Sequence, residues 1–172
     1  MLDFSKEQPK KEFEIITDGT YEVVCTKCCQ GHNHFNEPII ILQWKIRDDV
    51  EQGFKNRVIF DDIKENATES KPDHVVYNDA KLSSIILGGF DKTDPKRRDK
   101  FEDYDDICQF LNGVSMRVDV ITLTGKNSGK KFNCIKSYGY HPSQAKPKTL
   151  GTTTVPSPTN DGIDVMDDDL PF

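Results

Sequence analysis

Pro38-Ile39-Ile40-Ile41-Leu42-Gln43-Trp44-Lys45-Ile46-Arg47 is the stretch whose reading decides the fold. It is rich in β-branched residues and too short and too mixed to read as a helix. A period of two puts Ile40, Leu42, Trp44 and Ile46 on one face, and Ile39, Ile41, Gln43, Lys45 and Arg47 on the other. The first set reads as core, with Trp44 more naturally buried than stacked on a ligand. The second set reads as a surface carrying two cations.

Strand patterns flank this one. Tyr21-Glu22-Val23-Val24-Cys25-Thr26 alternates upstream, and residues 31–36 read as a turn before the 38–47 strand. Downstream, residues 48–53 form a turn into a third strand, Lys55 to Ile63. There Lys55, Arg57 and Ile59 share one face, while Val58 and Phe60 share the other. Residues 80–87 read as a helix with Asp79 as N-cap and Gly88-Gly89 as its stop. A second short helix starts at Asp103 or Asp105, buries Ile107, Phe110 and Leu111, and ends at Asn112-Gly113. Val114 to Leu123 alternates again. Asn127-Ser128-Gly129 is a hairpin turn into a fifth strand, Lys131 to Ser137.

Three strands, helices, then two strands point to a mainly β fold: a five-stranded OB-fold-like barrel with a long helical crossover between strands three and four. The domain is expected over residues 1–142. Residues 143–172 hold four Pro, two Gly, five Thr and two Ser, a composition that reads as a disordered linker. That segment carries two Lys against five Asp, so half of the formal net charge of −6 lies in the last thirty of 172 residues. No run of 18 apolar residues exists, which excludes a spanning helix. The polar opening after Met1 and the odd count of five cysteines read as a cytoplasmic protein in a reducing compartment.

Single strands are held by a cationic groove plus aromatic planes. Candidate phosphate contacts are Lys45, Arg47, Lys55 and Arg57, which the turn at 48–54 would bring together, with Lys130 and Lys131 at the hairpin and Lys136 and Arg117 beside it. Phe54 and Tyr138 are the main stacking candidates, with Tyr140 and Phe35 also near turns. Cys25, Cys28, Cys29, His32 and His34 offer zinc-type donors in ten residues, but no second ligand pair accompanies them. Alternation would also send Cys25 and Cys28 to opposite faces. No metal or other cofactor is expected. Residues 125–131 lack the spacing of a phosphate loop, and Asp61, Asp62 and Glu65 lack the partners of a nuclease site, so no catalytic residue is assigned and the chain reads as a non-enzyme.

The chain ends in Asp167-Asp168-Asp169-Leu170-Pro171-Phe172. A terminal Phe joins an aromatic ring to a free carboxylate, which an apolar pocket with an Arg at its rim would recognise. This ending resembles the acidic tip of bacterial single-stranded-DNA-binding proteins, which docks replication, recombination and repair enzymes. Residues 19–24 and 47–60 resemble a family of phage proteins from Gram-positive hosts regarded as single-stranded-DNA-binding proteins, with similarity across residues 10–140 plus the tip. The resemblance implies an OB-like fold, sequence-tolerant binding of single-stranded DNA, and recruitment of phage or host replication, recombination or repair proteins through residues 167–172. It implies no membrane partner and allows a homo-oligomer. The alternative is a protein-interaction module that binds or competes for host replication proteins without binding DNA.

Overall fold

The structure is a computed structural model that describes residues 14–69 and 73–145. Five strands and two helices follow one another as β1 (Gly19–His32), β2 (Pro38–Ile46), β3 (Val58–Lys64), α1 (Asp79–Gly89), α2 (Tyr104–Leu111), β4 (Ser115–Thr124) and β5 (Lys131–Pro142). All neighbouring strands are antiparallel, in the order β3-β2-β1-β4-β5. The sheet is therefore open, with β3 and β5 at its two edges. The expected closed barrel is not formed, because no backbone pairing joins those edges among the described residues.

β2 behaves as its alternation dictates. Ile40, Leu42, Trp44 and Ile46 are fully buried, and Val23, Met116, Val118 and Val120 from the neighbouring strands join them. Trp44 is core. Ile59 and Ile63 of β3 are buried in the same cluster. This corrects the expected face of the third strand: Ile59 belongs to the core, and Lys55 and Arg57 precede the strand, which begins only at Val58.

β1 runs longer than expected because it has two sets of partners. Val23 to His32 pairs with β2, while Gly19 to Val24 pairs with β4. Between Cys25 and Lys27 the register slips by one residue. Such a bulge resets the alternation. Cys25 and Cys28 are thus both buried rather than on opposite faces. Where β4 no longer reaches, Asn112 takes its place. Its side-chain amide accepts from Cys28 N (2.8 Å) and donates to Cys28 O (2.9 Å), a surrogate for a strand neighbour.

Residues 65–114 connect β3 to β4. The described ones are mostly loop around two short helices of 11 and 8 residues, so the long helical crossover expected from the sequence is not seen among the described residues. α1 is capped by Asn78 rather than Asp79, and it runs through Gly88-Gly89 instead of stopping before them. The reason is packing. A Cβ on Gly88 would collide with the carbonyl of Tyr140 on β5, and one on Gly89 with the Met116 side chain. Two residues without side chains let the helix lie directly on the sheet. α2 is capped by Asp103, which accepts from Asp106 N, and it ends at Asn112, followed by Gly113 at φ 84°.

Candidate nucleic-acid interface

Residues paired across antiparallel strands present their side chains to the same face. Lys27 pairs with Gln43, and Gln43 pairs with Phe60. These three form one row across β1, β2 and β3, on the side of the sheet away from Leu42 and Trp44. Lys45, paired with Val58, starts the next row along β2. Phe60 is 70% exposed. A ring that size on a surface loses little by being covered, and two lysines stand around it.

The edge of β3 faces β5 across a groove of about 400 Å³. Ile39, Ile41 and Phe60 line it from one side, and Phe132 to Ile135 from the other. Phe132 is 47% exposed and follows the exposed Lys131. Two accessible rings, Phe60 and Phe132, thus belong to one groove contributed by both free edges of the sheet.

The groove has a polar bridge at its base. Tyr140 Oη on β5 donates to Asp61 Oδ2 on β3 at 2.5 Å. Lys81 of α1 pairs with Asp61 Oδ1 at 2.5 Å and donates to Asp62 O at 2.6 Å. Burial, then the Asp61 charge, push the Tyr140 phenol well above its ordinary range, so it stays a donor. The bridge spans the gap that backbone pairing leaves open.

The cation cluster expected around the turn at 48–54 is dispersed. Only Lys45 remains on the open face. Arg47 is 1% exposed; its Nε and Nη2 donate to the two carboxylate oxygens of Asp49 at 2.9 and 2.8 Å, with Glu22 at 4.0 Å. The chain bends after Ile46, which turns Arg47 inward and removes it as a phosphate contact. Lys55 pairs with Glu51 at 3.2 Å on the turn surface. The Arg57 guanidinium lies 6.0 Å from the centre of the Phe54 ring, and that ring stands edge-on to Tyr21. Phe54 is half-buried and therefore a packing residue first.

On the second half of the sheet, Arg117 donates from Nε to Pro142 O at 3.0 Å and pairs on its strand with Glu22 and His141. Lys130 and Lys131 are exposed at the β4–β5 hairpin. Lys136 and Tyr138 lie on a large bulge of β5, where residues 136–139 stand opposite Asp119. Tyr138, at φ 57°, is 78% exposed at its crest. Tyr140 is buried in the bridge, and Phe35 is 72% exposed at the β1–β2 turn.

Lys27, Phe60 and Phe132 are residues of this surface that the sequence reading missed. The signal for Phe60 was present. Ile59, Asp61 and Ile63 alternate with it, and the four-residue spacing of two isoleucines places Phe60 outward. Phe132 directly follows Lys130 and Lys131, and that adjacency is its signal.

Among the described residues no group of three His, Cys, Asp or Glu is placed to hold a metal ion. His32 and His34 are exposed at the β1–β2 hairpin, away from the buried Cys25 and Cys28. No helix among the described residues is long and apolar enough to cross a membrane. The tip, Asp167 to Phe172, lies outside the described residues. The last described stretch is held by Glu22, whose carboxylate accepts from Ser143 Oγ (2.5 Å) and Gln144 N (2.9 Å).

The family model described as protein of unknown function (DUF669) matches residues 2–148, and the chain belongs to that family. No curated protein matches the chain significantly.

Proposed function

We propose that this DUF669 protein binds single-stranded DNA without sequence preference and without catalysis, in a phage replication or recombination setting. The observation that carries the reading is the row Lys27–Gln43–Phe60 with Lys45 beside it. It combines an accessible ring with two cations on a rigid sheet. Stacking on such a ring is indifferent to base identity and supplies ~1–3 kcal/mol per base. Phe132 and Lys131 supply the same pair of chemistries across the groove.

The strand order supports an OB-like reading of the fold. The order β3-β2-β1-β4-β5 is that of a five-stranded barrel opened between its third and fifth strands. In this reading the strand lies across β1–β3 and passes toward the β4–β5 hairpin, contacting Lys130 and Lys131. Tyr138 and Lys136 extend the path along β5. The acidic tip, residues 167–172, would recruit replication, recombination or repair proteins.

The test is anisotropy of a labelled oligothymidylate of about 30 nucleotides titrated with the full chain at two salt concentrations. Trp44 emission is a poor reporter, because the indole is fully buried. Binding should weaken with salt, with a slope of about 0.7 per neutralised phosphate, and duplex should bind far more weakly. Absence of binding at low salt, or equal affinity for duplex, would overturn the proposal.

A further inference from the structure

An open groove of about 520 Å³ runs between α1 and the segment leading into α2. Leu82, Ile86, Leu87 and Ile107 supply apolar surface, and Leu87 is 55% exposed although its neighbours Leu82 and Ile86 are buried. The carboxylates of Asp79, Asp99, Glu102 and Asp103 also line it, and no Lys or Arg does.

The charge balance around this groove is uneven. Asp99 is matched by Arg97 at 2.8 Å. Arg98 is committed to Asp106, to which Nη1 and Nη2 donate at 3.1 and 2.8 Å, and it lies 4.6 Å over the Phe101 ring. Asp79 accepts from Tyr104 Oη and Asp103 accepts from Asp106 N, and neither donor carries charge. Glu102 has no hydrogen bond or ion pair to its carboxylate among the described residues. Lys100 is on the same segment but does not line the groove. Asp79 and Asp103 therefore face the apolar floor with neutral partners only, while Glu102 shares the Arg98 charge with Asp106.

We propose that this groove docks a protein segment that carries a large apolar side chain flanked by Lys or Arg. The apolar side chain would cover Leu87 and the floor beneath it, where most of the affinity would arise. The flanking cations would meet Asp79, Glu102 and Asp103, which fix orientation and exclude acidic competitors. Nucleic acid is excluded by the same carboxylates. The surface is separate from the Lys27–Gln43–Phe60 row and does not depend on the DNA-binding reading.

The probe is a fluorescein-labelled peptide, Lys-Lys-Leu-Phe-Lys-Lys, titrated with the full chain at low salt and followed by anisotropy. The parent should bind it. Leu87→Ser, at an exposed position, should weaken binding about fivefold or more. Glu102→Lys should weaken it roughly fivefold, the effect of reversing one exposed charge. A peptide with two serines in place of Leu-Phe should lose binding to the parent. If both variants bind the peptide as the parent does, the cations are being held elsewhere, the acidic residues 161–172 included, and the proposal fails. Equal binding of the serine peptide overturns it as well, since charge alone would then suffice. Loss of peptide binding in Phe60→Ala, with Leu87→Ser without effect, overturns the separation of the two surfaces. Failure of DNA binding with peptide binding intact would sink only the proposed function.

Discussion

The hydroxyl of Tyr140 and the carboxylate of Asp61 join β5 to β3 at 2.5 Å across a sheet that never closes. Lys81 holds the other oxygen of the same carboxylate from α1. Asp61 on β3 therefore receives two further elements, β5 and α1, in place of the row of backbone bonds that a closed barrel would have. Tyr140→Phe should leave the fold recognisable but cost about 1.5–3 kcal/mol, the range for a hydrogen bond to a charged group. Urea denaturation monitored by Trp44 fluorescence measures it. A midpoint unchanged within error would mean that the bridge adds nothing to stability.

The glycine contact beside this bridge makes a second test. Gly88→Ala places a methyl against the Tyr140 carbonyl, a backbone atom that cannot rotate away. Helix propensity alone favours Ala by about 1 kcal/mol. The collision should outweigh that gain, so the substitution lowers the denaturation midpoint. A raised midpoint would show that α1 can lift off the sheet at little cost.

Nucleic-acid affinity should divide along the sheet. Phe60→Ala and Phe132→Ala should each weaken oligothymidylate binding by ~1–3 kcal/mol if each ring holds one base. Lys45→Ala should reduce the salt slope by about 0.7. Arg47→Ala should instead destabilise the protein, because it strips a buried partner from Asp49 and Glu22. Parallel binding and urea titrations of the four variants separate the two kinds of effect. Normal DNA affinity in both Phe variants would remove the stacking platform.

Thiol reactivity follows the bulge in β1. Burial pushes the Cys25 thiol up to about 12, and Cys28 is buried and raised through its hydrogen bond with Cys108. Since the thiolate is the reactive form, Cys25 and Cys28 should resist a disulfide reagent in the native protein, while the hydrogen bond from Cys28 lowers the Cys108 thiol, which is shielded by its burial alone. Cys29 and Cys134 are only half-buried and should be modified first. All five react once the chain is unfolded. Rapid native labelling of Cys25 or Cys28, located by peptide mass mapping, would contradict the packing described.

Stability should decline in acid partly through Asp119. Burial raises its carboxyl, but hydrogen bonds from His141 (2.8 Å) and Thr20 (2.7 Å) outweigh this and hold it below the ordinary value. Its proton is bound less tightly in the folded state than in the unfolded one. The stability it supplies is complete above roughly pH 3.9, the unfolded value, and disappears as pH falls through the lower folded value. The difference in unfolding free energy between the parent and Asp119→Ala should therefore be flat near neutrality and shrink below about pH 4. A difference that grows in acid would reverse the assignment.

The sequence by itself determined the alternating core of β2 and β4, the burial of Trp44 and the hairpin at Asn127-Ser128-Gly129, and it narrowed the cap of α2 to Asp103 or Asp105, of which the structure uses Asp103. Each depends on neighbours within a few residues, so local periodicity and capping chemistry suffice to read them. The acidic ending, too, is legible only as sequence. Tertiary structure alone decided that Arg47 turns inward, that Cys25 and Cys28 share the core, that α1 continues through two glycines, and that the sheet stays open with Phe60 and Phe132 on one groove. Partners distant in the chain set these outcomes: Asn112 for Cys28, Tyr140 for Gly88, β5 for the edge of β3, and, for Arg47, Glu22 added to the nearby Asp49. A period-two pattern says which residues share a face, but a bulge or a free edge depends on which strand lies alongside, and only the folded chain contains that information.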